Sequence, residues 1–90
     1  MTTHTWAVAR RLDYIDWRLL TAGAIRRADI EAAFGVSQAQ ASADLGEFDR
    51  AHPGAMAYDR SAKQYVPADG RYVSRRGIKK RLPLMFEIYS

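Results

Sequence analysis

Gln38, Gln40 and Ser42 stand two apart in the stretch Ser37-Gln38-Ala39-Gln40-Ala41-Ser42, each separated from the next by an alanine. Amide and hydroxyl groups on the first turns of a helix are suited to reading base edges. A Gln amide can pair in two places with the N6/N7 edge of adenine, and a Ser hydroxyl reaches a base or a phosphate. The free backbone amides of a helix start add a favourable place for phosphate. Ala39 and Ala43 complete the candidate contact set on this helix. Two basic clusters flank it in the chain. Arg26 and Arg27 lie just ahead of a short helix, where they would touch neighbouring phosphates. Arg60, Ser61 and Lys63 occupy a turn from which they would reach phosphates or the minor groove. Polar turns and polar helix starts are common, so these residues gain meaning only from the elements around them.

Other chemistries find little support. With no cysteine there is no disulfide framework, thiolate metal site or cysteine nucleophile. His4 and His52 are isolated and lack ligand spacing, so neither metal nor cofactor is expected. Asp13 and Asp16 share a helix face but have no evident cleft, and the pattern predicts both in solvent. Trp6, Tyr14 and Trp17 read as core or interface residues. No glycine-rich phosphate loop and no nucleophile motif occurs, and no enzyme is expected.

The elements that must position the polar residues can be read from periodicity. Val8, Leu12, Ile15 and Leu19 recur at helical steps and predict a helix over 6–21, with Thr5 as N-cap and Gly23 as its stop. Residues 24–26 are too short for an element of their own, though they could form a single bridge. A short helix follows over 27–34, ended by Gly35. Ala32, Ala33, Gly35 and Val36 supply the small residues, turn glycine and apolar plug that a tight helix crossing needs. Ser37 and Gln40 match a capping box, and Ala41, Leu45 and Phe48 form one buried face of the next helix. Pro53 ends it. Met56 and Tyr58, then residues 64–66, alternate around the polar turn 60–63 and predict a β-hairpin. The expected fold is mainly α with a small β-hairpin, a winged helix-turn-helix of three helices plus wing over residues 1–67. Residues 68–90 read as a basic C-terminal tail and a candidate dimerisation segment.

Charge divides the same way. The chain has ninety residues and a formal net charge of +4, but residues 1–70 hold eight Lys/Arg against nine Asp/Glu. Residues 71–90 hold six Lys/Arg and only Glu87. The basic balance therefore belongs to the tail. The longest apolar run, residues 82–86, is far below the ~20 residues that span a bilayer, and Arg10, Arg11 and Asp13 interrupt any leader. A cytoplasmic protein without membrane association is expected.

Three stretches also resemble a known family. Residues 11–19 (Arg-Leu-Asp-Tyr-Ile-Asp-Trp-Arg-Leu), Phe34-Gly35-Val36-Ser37 with residues 40–45, and the wing 58–66 resemble the N-terminal winged helix-turn-helix of WYL-domain transcriptional repressors. The nearest group is the BrxR/CapW-like regulators of phage-defence operons. The resemblance implies a sequence-specific DNA-binding repressor, or its isolated DNA-binding module, acting as a homodimer on an inverted-repeat operator in double-stranded DNA. The recognition helix would be residues 38–51 in the major groove, with the wing on the backbone and the protein at the nucleoid when bound. Family members continue into a ligand-sensing WYL domain that these ninety residues do not contain, so effector sensing is not carried over. The near-neutral body keeps an alternative open: a winged-helix protein-protein interaction module that does not bind DNA.

Overall fold

The computed structural model describes residues 6–78. Thr5 as N-cap, His4 and the apolar stretch from residue 82 lie outside the described residues. Helix α1 spans Trp6–Thr21, α2 Arg27–Phe34 and α3 Gln38–Ala51. Strands β1 (Met56–Asp59) and β2 (Gln64–Pro67) form an antiparallel hairpin with Tyr58 opposite Tyr65. The expected winged helix-turn-helix is the fold observed.

Each boundary has a local cause. Gly35 adopts φ 67° and donates its N–H to Glu31 O at 2.8 Å, a left-handed cap that costs glycine nothing. Ser37 Oγ accepts from Gln40 N at 3.1 Å, as the capping-box spacing predicts. The reciprocal half is missing, because the Gln40 side chain turns to Asp44 instead. Ahead of α2, Arg26 N–H donates to Asp29 Oδ2 at 2.9 Å, so the carboxylate satisfies the helix entry.

The core lies where the three helices meet. Leu12, Ile15, Ile25, Ile30, Ala41 and Phe48 are fully buried, and Leu19, Leu45, Ala55 and Met56 almost so. Ala33 is buried at the α2 side, whereas Ala32, expected at the same crossing, is exposed. The single bridge expected near residues 24–26 forms between Ile25 and Tyr65, with N–H···O distances of 2.9 and 2.8 Å. It ties the α1–α2 connection to the wing and so fixes where Arg26 and Arg27 begin.

Two charged residues of α1 are buried. Arg11 is buried and donates from Nε to Asp44 Oδ2 of α3 at 2.6 Å. Asp16 is 0% exposed rather than solvated. Its oxygens accept from Tyr72 Oη and Ser74 Oγ at 2.5 Å each, and from the backbone N–H of Arg75 at 3.0 Å and Arg76 at 2.9 Å. Asp13 in turn receives Arg76 Nε at 2.6 Å. Periodicity misplaced both aspartates because their partners lie some sixty residues later in the chain. The segment after the wing is thus strapped to α1 over residues 72–76.

Burial moves three titrations. The Tyr14 phenol is pushed up, chiefly by burial. The Tyr72 phenol is also pushed up, by burial and by its hydrogen bond to Asp16. His52 is pushed down, first by burial and then by the positive charge of Arg76 and Arg75, with Asp16 opposing. A lowered folded-state value means that the unfolded chain takes up the proton first as pH falls. His52 therefore contributes stability that is present above pH ~6.5 and lost as pH drops through its lower folded value. A His52→Gln variant is expected to show a flatter decline of urea midpoint between pH ~7.5 and ~5.5 than the parent chain. Equal slopes for the two proteins would contradict this.

Candidate nucleic-acid interface

The helix-turn-helix positions its polar side chains through the cap at Ser37 and the glycine turn before it. Gln38, Ala39, Ser42 and Ala43 are exposed on the first turns of α3, and Gln40 is half-buried. The buried face of the same helix, Ala41, Leu45 and Phe48, holds that orientation. Gln40 is held from below, since its Nε2 donates to Asp44 Oδ1 at 2.9 Å and Asp44 is itself pinned by Arg11.

Arg27, the first residue of α2, reaches across the turn to the first turns of α3. In the amide orientation its neighbours require, Gln38 Oε1 accepts from Arg27 Nη2 at 2.8 Å and from Nη1 at 3.2 Å. Arg27 Nη1 also lies 3.4 Å from Ser42 Oγ, and its Nε lies 3.8 Å from Glu31 Oε2. The residue expected on a flanking phosphate is therefore engaged with two of the expected base-reading side chains. Arg26 points the other way, with Nε 3.4 Å from Gln64 Oε1 of the wing.

The wing turn is set by Asp59, whose Oδ1 accepts from the backbone N–H of Ser61 at 3.0 Å and Ala62 at 3.2 Å. Lys63 follows in the left-handed region at φ 55°, which lets the chain re-enter β2. Arg60, Ser61 and Lys63 are all exposed. Tyr58, 52% exposed, packs edge-on against Tyr65 with centroids 5.0 Å apart.

Between α3 and the wing lies an open depression of about 340 Å³, lined among others by Arg26, Arg27, Ser42, Tyr58, Lys63 and Gln64. Four expected site residues thus come together, while Arg60 and Ser61 are not among its lining residues. Sequence reasoning missed Tyr58, Gln64 and Asp44. The Gln40–Asp44 contact was accessible in principle, since residues four apart meet on a helix. Nothing local marked Tyr58 or Gln64, which matter only once the hairpin folds beside α3.

Cap, glycine turn, exposed polar helix start and adjacent hairpin define a winged helix-turn-helix domain. Residues 7–73 match the BrxR transcriptional regulator winged helix-turn-helix domain, and the chain belongs to that family. It is similar to the DNA-binding transcriptional repressor CapW of Escherichia coli (strain KTE188), with 42% identity over 60 residues, covering 67% of this chain and 20% of the relative. The CapW repressor of Pseudomonas aeruginosa is 38% identical over 60 residues, with the same coverage of each chain. That of Stenotrophomonas maltophilia is 39% identical over 61 residues, 68% of this chain and 20% of the relative. The chain spans about a fifth of the length of these curated relatives.

Proposed function

We propose that this chain is the DNA-binding module of a transcriptional repressor. Helix α3 enters the major groove with Gln38, Ala39, Gln40, Ser42 and Ala43, and the wing lies on the backbone through Arg60, Ser61 and Lys63. The observation that carries this reading is the convergence of Arg26, Arg27 and Lys63 with Ser42 around the depression between α3 and the wing. These residues come from three separate parts of the chain, and three of the four are cationic. Backbone phosphates are the partner that such a cationic edge beside a polar helix start fits. The relatives, all DNA-binding transcriptional repressors by name, support the same reading.

A single such module reads only a few base pairs, so the working form is a homodimer on an inverted repeat with half-sites ~34–36 Å apart. The family resemblance favours an operator of phage-defence genes and a cytoplasmic, nucleoid-associated protein. A mobility shift on DNA from upstream of the chain's own gene, at two salt concentrations, tests the proposal. Binding is expected to weaken steeply with salt on any duplex and to retain a preferred site. Lys63→Ala is expected to lower affinity about equally on preferred and random DNA. No shift on any duplex at low salt would leave the alternative standing, that of a winged helix for protein contact. Trp6 favours that alternative, since it is 69% exposed with the Arg10 guanidinium 4.8 Å from its ring centre.

A further inference from the structure

Arg27 fills the oxygen of the Gln38 amide. Its two Nη groups lie 2.8 and 3.2 Å from Oε1, so one guanidinium grips that oxygen with two nitrogens. The guanidinium is steered there by Glu31 Oε2 on one side and Ser42 Oγ on the other. Gln40 is held at the opposite end of its amide, through an N–H donated to Asp44 at 2.9 Å. The two glutamines are therefore not equivalent readers.

We infer that Arg27 determines base specificity by making Gln38 a donor-only reader, which takes guanine in preference to adenine. The inference rests on the proposed entry of α3 into the major groove. Bidentate pairing with adenine needs an amide oxygen to accept from N6 and an N–H to donate to N7. With a guanidinium seated on the oxygen, the N6 donor of adenine would have to displace Arg27 or face its charge unpaired, and an unmet polar group in a closed interface is costly. Guanine presents only acceptors at O6 and N7, which the remaining NH₂ can satisfy. Arg27 acts here as a positioning residue: it acts on the base through Gln38. Its charge has a second effect that must be separated, because any cation near DNA raises affinity without sequence preference.

The test is selection of bound duplexes from a random pool at low salt, using the ninety-residue chain and three variants. Gln38→Ala identifies the contacted base pair as the one whose preference collapses. At that pair the parent chain is expected to favour guanine over adenine by roughly five- to a hundredfold. Arg27→Ala is expected to shift the preference toward adenine. Arg27→Lys keeps the charge but cannot grip one oxygen with two nitrogens, so it is expected to show the same base shift with its salt dependence retained. Arg27 forms only exposed pairs, so both variants are expected to keep the far-ultraviolet circular dichroism of the parent chain. Adenine selected by the parent chain, or guanine retained by both Arg27 variants, overturns the inference. A Gln38→Ala chain with every preference intact overturns it too, while leaving DNA binding in place. A pool from which the parent chain selects nothing removes the DNA reading itself, and this inference with it.

Discussion

Replacing Asp44 with alanine is expected to lower the unfolding free energy by about 3–5 kcal/mol, because it strands Arg11 inside the protein. The pair is short, 2.6 Å from Nε to Oδ2, with side chains only 9% and 2% exposed. Losing a few kcal/mol is serious for a domain whose whole margin is of order 5–15 kcal/mol. The same carboxylate also holds the Gln40 amide, so one residue supports both the packing of α1 on α3 and the posture of a candidate base reader. A double variant, Arg11→Met with Asp44→Leu, is expected to recover most of the stability, since replacing a buried pair by apolar groups is often neutral or better. It would release Gln40 all the same. Urea unfolding of the single and double variants separates the two effects, with the slope checked for constancy. A single variant within ~0.5 kcal/mol of the parent chain would show that the pair contributes little.

The second large effect is expected at Asp16. Hydrogen bonds to a charged acceptor contribute about 1.5–3 kcal/mol each, and this carboxylate accepts four that act together. Asp16→Ala is expected to cost roughly 3 kcal/mol or more and to detach residues 72–76 from α1. Asp16→Asn, which keeps the shape but loses the charge and one acceptor, should fall between. Amide exchange at Arg75 and Arg76 reports the strap directly: slow in the parent chain, fast in Asp16→Ala. Unchanged exchange at both positions would mean that the strap is held by something other than Asp16. The strap also alters the role expected of the basic segment. Arg76 is paired with Asp13 at 2.6 Å, and the Arg75 guanidinium sits 5.1 Å over the Tyr72 ring. At least these two cations are committed to the domain's own surface.

Periodicity and turn chemistry sufficed for the elements of this protein. The four- and three-residue steps through Leu12, Ile15 and Leu19 placed α1, the Gly35 turn and Ser37 cap placed the start of α3, and the alternation around residues 60–63 placed the wing. Such signals are local, because a helix face, a cap or a hairpin turn is decided by residues within one or two turns of each other. The exposed polar start of α3 was also legible, since Gln38 and Ser42 announce themselves by type and spacing. Tertiary structure alone decided the partners. Arg11 and Asp44 lie thirty-three residues apart, and Asp16 meets backbone amides some sixty residues away. A charged residue on the flank of an amphipathic helix looks the same in sequence whether water or a distant carboxylate receives it. Only packing removes the water, and with water gone the buried charge must find its partner. The same holds for Arg27, whose reach to Gln38 appears only once the turn at Gly35 sets α2 beside α3.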